Sequence, residues 1–286
     1  MPSTDATSIE LSAGSLLRRR VLGGLAAGTV SIGMPAVVRA QSRLQVIYPP
    51  PASPSDARAG YYLELLELVL GKSGAAFDLK PYPAKMVGAR AYHALEKNES
   101  ITIVWCARSR QLDERLLPVK IDLDRGILGW RLLLIRSRDR EMFGRIRRLE
   151  QLRAYAAGQQ RDWIDTSILR ANGLRVVPAL LYESMFDMLA AGRFDYCPRG
   201  VAEIWDEARQ YSRLELEVEP TLALHYPFTT WFYVSRHNPQ LAVAVERGLQ
   251  QALNDGSMAR LFELRNGESM RRAKLAGRTV FELTGA

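Results

Sequence analysis

The chain has 286 residues, 47 % apolar and 24 % charged, the size and mixture of a folded protein with one large or two medium domains. Its formal net charge of +8 favours acidic ligands or surfaces, but no Lys/Arg run with interleaved aromatics follows Arg20, so no nucleic-acid partner is expected. Two cysteines, three scattered histidines and the absence of CxxC, HExxH, GxSxG and GxGxxG give no reason to expect a metal, a cofactor or a nucleophile motif.

In chain order, the first forty residues read as an address. Arg18, Arg19 and Arg20 form a basic patch, a mild apolar stretch runs from Val21 to about Val38, and small residues stand at the −3 and −1 positions of a cleavage site after Ala40. Arg18-Arg19-Arg20-Val21-Leu22 is similar to a twin-arginine export signal. Periplasmic export with cleavage after Ala40 is the expectation. No later apolar run is long enough to span a membrane, so no span is expected in the mature chain.

From Arg43 onward, strands and helices alternate. "LQVIY" reads as a strand, the leucine-rich stretch closed by Gly71 or Gly74 as a helix, "AFDLKPY" as a strand, "AKMVGARAYHALEKN" as a helix and "ITIVW" as a strand. That β-α-β-α-β order predicts a parallel sheet. Extended segments, "RLLPVKIDL" and "GILGWRLLLIRS", precede a second α/β unit: "AYAAGQQ", "DWIDTSILRANGL", "RVVPAL", "YESMFDMLAAG", "FDYCPRG", "VAEIWDEARQY" and "LELEVEP". An extended return, "LALHYPFTTWFYVSR", and C-terminal helices close the chain. Two extended stretches separated by one unit predict two crossings between two lobes, a hinge and a cleft. Ligands of open parallel sheets sit beyond the strand C-termini.

The order of elements resembles the type II periplasmic solute-binding proteins, in the branch typified by amino-acid receptors of ABC importers. The resemblance is carried by "LEQLRAYAAGQQ", by "YESMFDMLAAGRFDYCPRG" with its Gly-Arg-x-Asp turn, and by "NPQLAVAVERGLQQALNDGSMARLFE" with Ala252, Leu253, Asp255 and Gly256. It implies an α/β, two-lobed fold with two crossing strands as hinge. Lobe one would be 43–133 and 224–286, and lobe two 134–223. It also implies a monomer that captures a small-molecule ligand by hinge closure and hands it to an ABC importer permease.

Two departures bear on the ligand. After the third strand of lobe one, where the family grips a ligand carboxylate, this chain has "WCARSRQLDER", which offers Arg108, Ser109 and Arg110 at another spacing. Where the family places an Asp for the ligand ammonium, this chain has Arg199-Gly200. A guanidinium there would hold a carboxylate through two parallel hydrogen bonds, so a small organic anion is the expected solute. The alternative is that Arg199 pairs with Glu203 or Asp206 on the next helix and is structural. Tyr48 and Trp105 end lobe-one strands and could wall the ligand; Gln159, Gln160 and Trp163, on the loop before a lobe-two helix, and Glu203, after "CPRG", are the other expected ligand contacts. Glu203 and Asp162 are the carboxylates an enzyme on this fold, dehydratase-like or lytic-transglycosylase-like, would have to use, and they form no paired constellation. A periplasmic sensor or an interaction module is the remaining class.

Overall fold

The computed structural model describes residues 43–51, 59–84, 86 and 88–285; the expected export signal and cleavage site lie outside them. In chain order the elements are β1 (Leu44–Tyr48), α1 (Ala59–Lys72), β2 (Phe77–Pro81), α2 (Ala89–Glu96), β3 (Ile103–Ala107), α3 (Arg110–Arg115), β4 (Leu117–Val119), β5 (Trp130–Arg136), α4 (Arg140–Phe143) and α5 (Leu149–Leu152). They continue as β6 (Ala156–Gln160), α6 (Ile164–Ala171), β7 (Arg175–Ala179), α7 (Tyr182–Ala190), β8 (Tyr196–Gly200), α8 (Ile204–Gln210), β9 (Leu216–Val218), β10 (Leu222–His225), β11 (Thr230–Val234), α9 (Pro239–Asn254), α10 (Ser257–Ala273) and β12 (Thr279–Glu282).

The first lobe holds a parallel pair, β1-β2, and an antiparallel sheet ordered β3-β11-β4. Thr102 joins them: its N–H donates to Ile47 O at 2.8 Å, and its Oγ1 accepts from Ile47 N–H at 2.9 Å. Helix α9 buries Leu241, Ala244, Val245, Gly248, Leu249 and Ala252, the recurrence of one helical face. That face meets α1 so closely that a Cβ on Gly248 would lie 2.0 Å from Val69 O.

The second lobe is built on a seven-stranded mixed sheet ordered β12-β10-β5-β8-β6-β7, with β9 also on β5. Side chains alternate across it. Leu132, Leu134 and Cys197 pack with Tyr182, Met185, Phe186 and Ile204, whereas Leu133, Ile135 and Tyr196 pack with Ile168, Leu169 and Phe281. By the same alternation Arg199 stands on the α7–α8 face and Arg131 on the α6 face. Cys106 and Cys197 are unbonded and belong to different sheets.

Two segments, 120–129 and 226–229, connect the sheets. Leu123 N–H donates to Thr230 O at 3.1 Å, and Tyr226 N–H to Gly129 O at 3.2 Å. Gly129 is required here, because a Cβ would lie 2.4 Å from Tyr226 O. The expected lobe limits at 133/134 and 223/224 fall inside β5 and β10, which belong wholly to the large sheet. The C-terminal end needs correction: β12, expected with lobe one, pairs in parallel with β10 of the large sheet.

Candidate functional site

The C-terminal ends of β6, β7 and β8 lie side by side in the large sheet, and the chain leaves them into α6, α7 and α8. Gln160 pairs with Ala179 at the ends of β6 and β7. Trp163 N–H and Thr166 Oγ1 both donate to Gln160 O, at 3.1 and 3.0 Å, which turns the chain sharply into α6. These turns bring Gln159, Gln160, Trp163, Arg199 and Glu203 to one edge of the sheet.

Arg199 is 2 % exposed, the largest fully buried side chain among the described residues. Its Nε donates to Glu207 Oε2 at 2.7 Å and its Nη2 to Glu207 Oε1 at 2.5 Å. Glu203 Oε1 lies 3.0 Å from Nη2 and accepts the Gly200 N–H at 2.9 Å. The guanidinium carbon sits 4.8 Å from the Trp163 ring centroid and 5.7 Å from that of Tyr182, whose hydroxyl donates to Glu207 Oε1 at 2.6 Å. Burial alone would lower the Arg199 pKa; Glu203 and Glu207 more than offset it and hold the group charged. Arg199 is the residue expected to meet a ligand anion. A bidentate carboxylate already occupies the fork, and it comes from Glu207 rather than from a solute.

A second guanidinium stands on the opposite face. Arg131 Nε donates to Asp165 Oδ1 at 2.8 Å, and the Tyr226 hydroxyl donates to the same oxygen. Its guanidinium carbon lies 5.4 and 5.6 Å from the Tyr226 and Phe228 ring centroids, so side chains of the second crossing wrap it. Burial would raise the Asp165 pKa, but Arg131 and Tyr226 hold it below the usual carboxylate value. Arg131 Nη1 is buried and makes no hydrogen bond among the described residues. It faces the bare backbone of Gly200, where an added Cβ would lie 3.2 Å away. Gln159 repeats the pattern: its Nε2 donates to Pro198 O at 3.2 Å, while its buried Oε1 is unpartnered. Two guanidiniums and three carboxylates (Asp165, Glu203, Glu207) give this cluster one net negative charge.

The lobe-one wall is aromatic. Tyr48 and Trp105, both half-buried, have ring centroids 6.0 Å apart; Tyr62 stacks on Trp105 at 6.1 Å and Phe232 meets it edge-on at 6.5 Å. Behind this wall Asp124, in the first crossing, accepts hydrogen bonds from Tyr62 Oη (2.5 Å), Thr230 Oγ1 (2.8 Å) and Gly126 N–H (3.1 Å). Burial, only partly countered by those donors, pushes its pKa up to about 6. The other lobe-one candidates are less committed. Arg108 is exposed, 5.3 Å from the Trp231 ring and 3.6 Å from Asp113. Ser109 starts α3 and donates its N–H to Tyr233 Oη at 3.3 Å. Arg110 is 94 % exposed and lies 3.5 Å from Glu114, so it joins no cluster with Arg199.

Arg131, Asp165, Glu207 and Tyr182 were not among the sequence candidates. "GW" before "RLLLI" marked the crossing that delivers Arg131, but its partner lies 34 residues away. Among the described residues no group of His, Cys, Asp and Glu could hold a metal ion, and no helix is long and apolar enough to cross a membrane.

No protein-family model matches the chain, and no curated protein matches it in sequence. Solved structures do match. An ancestral arginine-binding protein bound to arginine is 17 % identical over 78 % of this chain and 97 % of its own, with a TM-score of 0.56. A histidine kinase sensor domain with similarity to periplasmic binding proteins is 16 % identical over 79 % and 97 %, with a TM-score of 0.57. The arginine-, lysine-, histidine-binding protein ArtJ of Geobacillus stearothermophilus is 13 % identical over 79 % and 95 %, with a TM-score of 0.54. The chain has the two-lobed α/β fold of the type II periplasmic binding proteins.

Proposed function

We propose that this protein is an exported solute-binding protein that closes its two lobes over one small molecule. The observation that supports the reading is a pair of clusters, aromatic Tyr48, Tyr62 and Trp105 on lobe one and the arginine–carboxylate cluster at the strand ends of lobe two, which would face each other across the cleft. Contacts made to both surfaces exist only when the lobes close, and that difference drives closure. Catalysis is the weaker reading, because Asp165, Glu203 and Glu207 are all engaged by arginines or backbone donors rather than poised as an acid and a base.

The solute fitted to these surfaces is a small organic molecule with an apolar or aromatic body and a single carboxylate. The carboxylate would accept from Arg131 Nη1, the unpartnered buried donor beside Gly200, with the Gln159 Oε1 acceptor available to a neighbouring N–H. The net negative charge of the cluster disfavours polyanions. This replaces Arg199 by Arg131 as the anion-binding group. The chain would act as a periplasmic monomer, cleaved after Ala40, handing its solute to an ABC-type permease. The likeness to a kinase sensor domain supports a sensing role as the second reading.

Thermal unfolding of the chain against amino acids, monocarboxylates, dicarboxylates, phosphates and polyamines tests this. A solute at a hundredfold its Kd adds about 2.7 kcal/mol, which at roughly 2–4 °C per kcal/mol raises Tm by several degrees. A selective rise with apolar amino acids or monocarboxylates is expected. A rise confined to polyanions or polyamines would overturn the solute class, and no rise with any solute would count against binding.

A further inference from the structure

We propose that the C-terminal segment 274–284 is a third connection between the lobes, and that it limits how far the cleft opens. One end is fixed to lobe one. Helix α10 packs on α1: Phe262 meets Tyr61 edge-on with centroids 6.0 Å apart, and Arg265 Nη2 lies 2.6 Å from Glu64 Oε1. The helix then reaches lobe two, where the Arg272 guanidinium carbon lies 4.1 Å from the Trp205 ring centroid on α8.

The other end is fixed to lobe two more firmly still. Strand β12 runs parallel to β10 with Thr279 opposite Leu222 and Glu282 opposite His225. Phe281 and Leu283 are buried in the α6-side core. Arg278, its side chain only 5 % exposed, donates through Nη1 to Glu219 O (2.6 Å) and Leu222 O (2.9 Å), and through Nε to Ala273 O (2.6 Å). Beyond the strand, Leu283 N–H donates to His225 O at 2.7 Å, and Asn172 at the end of α6 holds Thr284 by Nδ2 to O (2.9 Å) and N–H to Oδ1 (3.0 Å). Glu282 Oε2 is 2.6 Å from His225 Nδ1, and His225 stacks on Trp130 with centroids 4.2 Å apart. Trp130 and His225 are the lobe-two roots of the two crossings, so the third connection is anchored beside the hinge.

Between the anchors lie only residues 274–277, wound into a turn by Gly277 N–H to Lys274 O (2.9 Å) and Arg278 N–H to Leu275 O (3.1 Å). Unwinding such a turn from about 2.0 Å to about 3.3 Å per residue yields on the order of 5 Å of extra reach. Opening beyond that reach must peel β12 or pull α10 from α1. Two crossings alone impose no such stop.

The inference rests on the two-lobed fold and needs no ligand, so its failure leaves the solute reading standing. Spin labels on Val243→Cys (α9) and Ser167→Cys (α6), both exposed positions, report the inter-lobe distance in a Cys106→Ala background, Cys197 being fully buried. Inserting about six Gly/Ser residues after Gly277 adds slack by releasing the Arg278–Ala273 contact while keeping β12 on β10 and α10 on α1. The distance distribution should then broaden and extend by on the order of 5 Å, with Tm nearly unchanged. Arg278→Ala should broaden it as well, with faster amide exchange in β12. An unchanged distribution in the insertion variant, with β12 still protected from exchange, would overturn the proposal whether or not Arg278→Ala folds.

Discussion

The two lobes are built of different materials. Lobe one carries an uncharged aromatic cluster, and its only buried carboxylate among the described residues, Asp124, sits among hydroxyl and backbone donors. Lobe two offers charge, but charge already spent on itself: Arg199 on Glu207 and Glu203, and Arg131 on Asp165. A buried ion pair contributes little net stability, yet breaking it is costly. The strand ends of lobe two are therefore tied together by ion pairs, whereas the lobe-one cluster is held by ring contacts.

The comparison can be broken where the effect should be largest. Glu207→Ala leaves Arg199 buried with only Glu203 opposite it and should cost about 3–5 kcal/mol in urea unfolding. The double variant Arg199→Met with Glu207→Leu should recover most of that loss. A cost below about 1 kcal/mol for the single variant would mean that the pair is not the organising contact of lobe two. Gly129→Ala comes next. Its Cβ would sit 2.4 Å from Tyr226 O, so the crossings must part, at about 1–3 kcal/mol, read as a drop in Tm.

Asp124 separates the lobes by pH. Its folded pKa of about 6 lies above the ordinary aspartate value of about 3.9, so the folded state binds the extra proton. The corresponding stability is fully present below about pH 4 and lost as pH rises through about 6, on the order of 3 kcal/mol in all. Asp165 in lobe two has the opposite sign: its depressed pKa contributes stability that is lost as pH falls. Subtracting the pH–stability curve of Asp124→Asn from that of the wild type should leave a falling slope between pH 4 and 6; a flat difference would remove Asp124 from the account. At the small end, Arg110→Ala should leave Tm within about 1 °C and solute binding unchanged, since its side chain is 94 % exposed.

Much of the frame was legible because it is local. The alternation β1-α1-β2-α2-β3 and the recurring apolar face of α9 follow from spacing alone, and Gly192 (φ 71°) ends α7 in the left-handed conformation that its place in "LAAGRF" predicts. The position of Arg199 at a strand end was legible too, and the alternative of an ion pair to the next helix was the better of the two readings. Its main partner was not legible: Glu207, eight residues on, is chosen by how α8 packs over the sheet rather than by sequence distance. Arg131 with Asp165 is a tertiary contact between two elements, and no local pattern announces it. β12 was missed for the same reason. Four residues long, its meaning comes from β10, 57 residues earlier.

Titration calorimetry with the solute that raises Tm most, on wild type, Trp105→Ala and Arg110→Ala in parallel, tests the central claim most directly. One site per chain is expected, with binding at least about tenfold weaker in Trp105→Ala and wild-type affinity in Arg110→Ala. Unchanged binding in Trp105→Ala, or equal loss in both variants, would contradict capture between the aromatic wall of lobe one and the charged strand ends of lobe two.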